Sequence, residues 1–167
     1  MKIQLPFTEI ICLTGYCFLL NISEKYAGFI YILLLLAKVA YIDYKSYLIP
    51  NKLPVFIAFG GCIHQLMQNE YFAFWNVFFA LIFISMVFLP IYFFTDTIGG
   101  GDVKLSYALC LWLPYPLIAQ AIFFAVFSAS LLCIYRILQK EYTLNDILPF
   151  GPFISLGALI IFSIFYF

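Results

Sequence analysis

The sequence predicts an all-α fold, a polytopic transmembrane bundle of six to seven helices, and two observations carry this prediction. Hydrophobic residues make up 66% of the 167 residues and charged residues only 10%, whereas soluble domains are roughly half apolar and one quarter charged. The long apolar runs are also continuous rather than alternating, which favours helices over barrel strands, because a backbone in lipid must satisfy its own hydrogen bonds. We expect a single membrane domain over residues 1–167.

Each predicted helix is one of these apolar runs. The third and fifth runs are short for a span of about 20 residues. A single lysine, Lys2, precedes the first run, as in a signal peptide. The segment lacks a small-residue cleavage site, so we interpret it as a retained helix. The predicted helices are Leu5–Asn21, Ala27–Ile42, Pro54–Gln68, Phe72–Phe94, Leu105–Leu113, Pro116–Gln139 and Pro149–Phe167.

The basic residues predict the orientation in the membrane. If the helices alternate and Leu105–Leu113 counts as a crossing, only Lys25 lies on one side. The positive-inside rule then makes the other side cytoplasmic. That side carries Lys2, Lys38, Lys45, Lys52, Lys104, Arg136 and Lys140. We therefore expect a multi-pass protein of the cell (inner) membrane whose polar loops around 43–53, 95–104 and 140–152 face the cytoplasm.

Several classes of function find no support in the composition. The net charge is zero, and no basic stretch interleaves aromatic residues, so no nucleic-acid partner is expected. The five cysteines lie in apolar segments without a CxxC pair, which favours ordinary apolar side chains over zinc ligands or disulfides. The single histidine, His64, lacks a second ligand at helical spacing, so a polar contact inside the bundle is favoured over a metal site. We expect no metal and no cofactor.

Two aspartates stand out among the eight carboxylates. Asp43 ends the apolar run YILLLLAKVAYI, where position alone favours a simple helix-ending loop residue. Asp102 follows three glycines, Gly99–Gly101, whose backbone can take left-handed angles and approach another backbone or a substrate closely. Irregular backbone at membrane depth is tolerated where it lines a polar cavity, so a polar pocket is predicted there. Glu9, within the first helix, could reach the interface or pair inside the bundle.

Paired aspartates have a specific chemical use. Two carboxyl groups held close together share one proton. The ionised group can take a proton from water while the protonated group polarises a carbonyl, which is the chemistry of peptide hydrolysis without a metal. Other glycine-rich sites fit less well: the patterns GxxxxGK[ST] and GxGxxG are both missing. Serine catalysis would have to rely on His64 as its base.

The residues around both aspartates resemble a known family. GGGDVKL at Gly99–Leu105 matches the GxGD motif of intramembrane aspartyl proteases, in the GxGDxKL form typical of type IV prepilin peptidases. Asp43, six residues before Ile49–Asn51, is similar to the family's first-aspartate motif. Pro149–Phe153, followed by Gly157–Ala158, is similar to its PFGPF…GA segment. The presenilin and signal-peptide-peptidase branch fits less well, because its YD and PAL motifs are missing.

The resemblance covers a core of about residues 27–167 and implies residue roles. Asp43 and Asp102 would be the catalytic pair, and Lys104 would tune or orient Asp102. Gly99 and Gly101 would shape the turn before Asp102. The supporting residues implied by the motifs are Ile49, Pro50, Asn51, Gly99, Gly101, Lys104, Pro149, Gly151 and Pro152.

The resemblance also implies substrates. Members cleave the short basic leader of prepilins or pseudopilins at the cytoplasmic face, so prepilin-like membrane proteins and the lipid bilayer are the expected partners. Full-length bacterial members carry a cytoplasmic insertion with paired CxxC motifs, associated with N-methylation, after the first helix. Here only about residues 22–26 join the first two helices, so a form with peptidase activity alone is predicted.

Two other functions stay open at this point. A family member without catalytic activity could serve as a pilin-assembly factor. Alternatively, Asp43 and Asp102 could relay protons in a small transporter. Acids of a relay would more naturally lie at mid-membrane, whereas these two are predicted at helix ends.

Overall fold

The computed structural model describes residues 7–19, 24–67, 72–94, 98–139 and 148–166, and within these ranges the chain forms seven α-helices and no strand. Three of the helices contain apolar windows long enough to cross a membrane, at Tyr26–Ser46, Phe74–Phe94 and Leu117–Leu138. The predicted all-α transmembrane bundle is confirmed. The helices are α1 Phe7–Leu19, α2 Glu24–Ser46, α3 Lys52–Met67, α4 Phe72–Phe94, α5 Gly100–Leu109, α6 Leu117–Leu138 and α7 Gly151–Tyr166.

Two helix boundaries differ from the prediction in ways that matter for the aspartates. α2 continues to Ser46, so Asp43 lies inside its last turn and is not a loop residue. α5 begins at Gly100 and ends at Leu109, instead of running over Leu105–Leu113. The backbone N–H groups of Asp102 and Val103 both donate to the Gly99 carbonyl, so helical hydrogen bonding starts within the glycines despite their low helix propensity.

The other helices agree with the prediction to within a few residues. α4 has the predicted bounds. α7 begins at Gly151, two residues after the predicted Pro149. The predicted ends of the first helix, at Leu5 and Asn21, fall outside the described residues. The charged residues Lys140, Glu141 and Asp146 also fall outside them.

α7 lies between the two helices that carry the aspartates. It packs against α2 and α5, and on another side against α6. The contact with α6 is close: a Cβ atom at Gly157 would lie 2.3 Å from the Ala121 carbonyl oxygen, so only glycine permits this spacing. α2 and α5, which carry Asp43 and Asp102, therefore share α7 as a neighbour.

Aromatic packing fixes the far end of α5 against α3. The Trp112 indole Nε1 donates a 2.7 Å hydrogen bond to the Ile57 carbonyl, and Trp112 is fully buried. His64 is also buried and stacks on Trp112 with ring centroids 5.0 Å apart. Gly61 makes room for this contact, because a Cβ atom there would lie 3.0 Å from the indole ring. These contacts anchor α5 at the end away from Asp102.

An ion pair joins α1 to α2. The Lys38 Nζ atom lies 2.6 Å from Glu9 Oε1, and the carboxyl group is buried. The Thr8 hydroxyl contacts both partners. Of the two possibilities left open for Glu9, the structure shows pairing inside the bundle.

Candidate active site

Asp43 is held by the start of α7. Its side chain is 4% exposed, and Oδ2 accepts a 2.9 Å hydrogen bond from the Gly151 N–H. Gly151 is the first residue of α7, where N–H groups lack partners within the helix. The positive end of the α7 dipole also favours a negative charge at this position. The resemblance placed Gly151 among the supporting residues, and the structure brings it into direct contact with Asp43.

A sharp turn after Asp43 brings its motif back toward the bundle. Tyr47 adopts a left-handed conformation with φ 52°, and its N–H donates to the Asp43 carbonyl at 2.8 Å. Such a conformation costs a non-glycine residue on the order of 1 kcal/mol. After the turn Ile49 is buried, while Pro50 and Asn51 are exposed before α3 begins. No sequence pattern had marked Tyr47.

Asp102 lies in the first turn of α5, outside the three membrane-spanning helices. Its side chain is 9% exposed, and Oδ1 has no hydrogen-bond partner among the described residues. Burial, and secondly the charge of Asp43, raise the pKa of Asp102 to about 7, while a backbone hydrogen bond from Gly99 acts in the opposite direction. The charge of Asp43 therefore disfavours ionisation of Asp102.

The three glycines before Asp102 agree with the prediction only in part. No glycine in the described ranges has a positive φ, so the expectation of left-handed angles is wrong. The expectation of a close approach is confirmed at Gly101, where a Cβ atom would lie 2.8 Å from the Ile49 Cβ. At Gly99 it would lie 3.2 Å from Asp102 Oδ2, and at Gly100 it would make only an ordinary 3.5 Å contact with Tyr92.

Lys104 joins the two aspartate motifs at the surface. Its Nζ donates a 2.7 Å hydrogen bond to Asn51 Oδ1, on the segment that follows Asp43. The resemblance implied that Lys104 orients Asp102, and the contact that the structure shows is with Asn51. The same two side chains border an apolar groove of about 450 Å³ between α3 and α5.

A second cleft opens beside the contact between Asp43 and Gly151. Its volume is about 290 Å³, and its walls include Tyr44 and Tyr47 after Asp43 and Pro149 and Pro152 on either side of Gly151. This cleft is lined by both polar and apolar surface.

The predicted site residues thus converge as four contacts at one end of the bundle. Asp43 meets Gly151, Gly99 lies against Asp102, Gly101 packs on Ile49, and Lys104 binds Asn51. Pro50 accepts a hydrogen bond from the Leu53 N–H at the start of α3. Within the described ranges, no group of three His, Cys, Asp or Glu residues is placed to hold a metal ion.

The fold and the site define a helical membrane protein with two buried aspartates at one end of its bundle. Comparison with family models matches residues 29–135 to the type IV leader peptidase family. The match covers more than half of the chain, and the protein belongs to that family. Curated proteins and solved structures, in contrast, give no match. The matched range includes Asp43 and Asp102 but ends before Gly151.

Proposed function

We propose that the protein is an aspartic endopeptidase that cleaves the short basic leader of type IV prepilin-like or pseudopilin substrates at the cytoplasmic face of the cell membrane. Asp43 and Asp102 are its catalytic pair. The observation that carries this proposal is the burial of both carboxyl groups at one end of the bundle, with the charge of Asp43 acting on Asp102. Membership of a peptidase family supports hydrolysis of a peptide bond.

The contacts of the two aspartates support different roles for them in the proposed reaction. Asp43 accepts the Gly151 N–H, a donor that stabilises an ionised carboxylate, so Asp43 is the base. Asp102 is protonated over most of the range below pH 7 because its pKa is about 7, so it is the acid. The same division of a shared proton operates in other aspartic proteases.

The reaction needs only these two groups and water. Asp43 removes one proton from a water molecule, and the water oxygen bonds to the scissile carbonyl carbon while Asp102 gives its proton to the carbonyl oxygen. The tetrahedral intermediate then collapses: the carbon–nitrogen bond breaks, the amine takes the proton from Asp43, and the new carboxyl group returns one to Asp102. The cleft lined by Tyr44 and Pro152, which directly follow Asp43 and Gly151 in the chain, is the proposed place for the peptide.

The basic residues around the same end of the bundle support the proposed orientation. Lys45 lies in the last turn of α2, Lys52 begins α3 and Lys104 lies in α5. Under the positive-inside rule this end faces the cytoplasm, where a prepilin leader is located.

The test is cleavage of a prepilin-like substrate by the full chain in native membranes. Asp43→Asn and Asp102→Asn should each reduce leader cleavage on the order of 10³-fold or more, with unchanged protein levels. The control is Glu70→Gln, which removes a carboxylate that the sequence predicts to lie in a loop. This variant should cleave the substrate normally. Wild-type cleavage by either aspartate variant would overturn the proposal. Binding of pilin without cleavage by the wild type would indicate an assembly factor, and aspartate-dependent proton flux into vesicles would indicate a transporter.

A further inference from the structure

Ser155 is the one buried serine in the described part of the chain whose hydroxyl has no hydrogen-bond partner there. Of the six other serines there, Ser130 is exposed. The remaining five donate their hydroxyls to a carbonyl three or four residues earlier in the chain: Ser46, Ser85, Ser106, Ser128 and Ser163. Ser155 is 2% exposed, and its Oγ has no hydrogen-bond partner among the described residues. A buried hydroxyl without a partner is costly, and bonding to its own helix is the usual remedy. Its exceptional state therefore calls for a different partner.

The position of Ser155 on α7 places it beside the candidate site. Gly151, four residues earlier, binds Asp43, and Phe162, seven residues later, stacks on Phe29 of α2 with centroids 6.1 Å apart. Residues at these spacings share one helix face, so Ser155 lies on the face that meets α2. It lies about one turn deeper in the bundle than the Gly151 contact. One turn before Asp43 on α2 is Val39, which is fully buried and apolar.

α5 contributes a second buried oxygen atom without a partner. α7 packs against α5, and Asp102 Oδ1 lacks a hydrogen bond within the described ranges. One turn after Asp102, Ser106 gives its hydroxyl to the Asp102 carbonyl, so its hydrogen is already used. A buried water typically makes two to four hydrogen bonds to groups of this kind. Asp43, Asp102 and Ser155 together provide that number.

We propose that Ser155 is a positioning residue whose hydroxyl holds the hydrolytic water at the pair formed by Asp43 and Asp102. This inference rests on the proposed peptidase function. Ser155 exchanges one hydrogen bond with the water, and no covalent bond to Ser155 forms or breaks. Ser155 holds the water from the deeper side of the bundle, and the two carboxyl groups hold it at their own level. A lone pair of the water is then directed at the scissile carbonyl. Such alignment lowers the entropic part of the barrier.

The experiment compares kcat, KM and melting temperature of full-length variants in lipid nanodiscs with a prepilin-like substrate. Ser155→Ala should lower kcat about tenfold, the effect of one hydrogen bond, and leave KM within about twofold. Its melting temperature should stay close to that of the wild type, because the hydroxyl has no partner among the described residues to lose. Ser155→Thr and Ser155→Val have the same shape, so their kcat values should differ about fivefold or more in favour of threonine. The control is Ser128→Ala, which removes a hydroxyl that is hydrogen-bonded to its own helix. Its kcat and KM should match those of the wild type.

The outcomes separate this inference from the function on which it rests. Full kcat in Ser155→Ala, together with loss of cleavage in Asp102→Asn, would overturn the role of Ser155 alone. Wild-type cleavage by Asp102→Asn would overturn the peptidase proposal itself. Equal impairment of the threonine and valine variants would show that Ser155 acts through packing. If Ser155→Ala does not fold, the threonine-to-valine ratio decides the question.

Discussion

The Gly151 N–H donates a 2.9 Å hydrogen bond to Asp43 Oδ2, joining the first residue of α7 to the last turn of α2. The two residues are 108 positions apart in the chain. This contact makes the segment around Pro149–Phe153 part of the candidate site, although it lies beyond the range that matches the family model. The donor is a backbone N–H, and residue 151 is a glycine. Because glycine has no side chain, α7 can approach Asp43 closely.

We predict that Gly151→Ala impairs cleavage by displacing Asp43. An added Cβ would lie 2.8 Å from Asp43 Oδ2 and 3.0 Å from its Cγ, so the carboxyl group or α7 must move. Leader cleavage should fall about a hundredfold, the typical cost of misplacing a reacting group by 1 Å, and stability by about 1–3 kcal/mol. Cleavage assays and thermal unfolding of the purified protein measure both effects.

The matched control for that variant is Gly15→Ala in α1. A Cβ at position 15 would meet nothing within 4 Å, so cleavage should stay at the wild-type rate. Helix propensity alone should keep stability unchanged or raise it by about 0.5–1 kcal/mol. Equal activity of the Gly151→Ala and Gly15→Ala variants would contradict the assigned role of the contact with Asp43.

The neighbouring glycines before Asp102 should differ in their tolerance of a side chain. Gly101→Ala would place a Cβ 2.8 Å from the Ile49 Cβ and 3.4 Å from its backbone nitrogen. No rotamer of Ile49 relieves a contact with its Cβ, so the backbone must shift, at about 1–3 kcal/mol and with loss of cleavage. Gly100→Ala meets only the Tyr92 ring at 3.5 Å and should be close to wild type. The two melting temperatures, measured side by side, test this difference, and an equal loss in both variants would contradict it.

The sequence predicts much of this fold because lipid imposes simple rules. α4 has the predicted bounds, since its apolar run is bounded by polar residues at both ends. The ends of α2 and α5 were placed wrongly because tertiary contacts decide them. Asp43 stays helical while its carboxyl group binds Gly151, and α5 starts within the glycines because Gly101 must pack on Ile49.

The candidate site was predictable in its composition but not in its contacts. The motifs named Asp43, Asp102 and Lys104, yet spacing alone could not show that Lys104 reaches Asn51, which lies 53 residues away. Ser155 had no signal at all, because a serine in an apolar helix is ordinary until its hydrogen bonds are known. Which residue a side chain contacts depends on how distant parts of the chain pack together. The residues next to it in the sequence do not reveal that.

The hydrogen bond between Lys104 and Asn51 should couple the two motifs energetically. Lys104→Met and Asn51→Leu each remove the 2.7 Å contact, so the double variant should be less destabilised than the sum of the single variants. Because both side chains are exposed, we expect a coupling free energy of about 1 kcal/mol or less. Chemical denaturation of the four proteins in the cycle measures it. Strict additivity would show that the contact contributes nothing.

Cleavage should decline as the pH rises through about 7. Asp102 must carry a proton to act as the acid, and its pKa is about 7, raised by burial and then by the charge of Asp43. Initial rates between pH 5 and 9 should therefore show a basic limb with an apparent pKa near 7, which belongs to the coupled pair. Ser128→Ala should give the same profile. A rate that stays constant up to pH 9 would contradict the role of Asp102 as acid.

Asp102→Asn should stabilise the fold more at high pH than at low pH. The folded state raises the pKa of this carboxyl group from 3.8 to about 7, so it binds the proton more tightly than the unfolded state does. The favourable contribution of the protonated form is complete below about pH 3.8 and is lost as the pH rises to about 7. Asparagine stays neutral throughout, so its advantage in melting temperature over the wild type should grow across this interval to a few degrees and then stay constant. Glu70→Gln should show no such trend, and a pH-independent difference for Asp102→Asn would mean that the raised pKa does not affect stability.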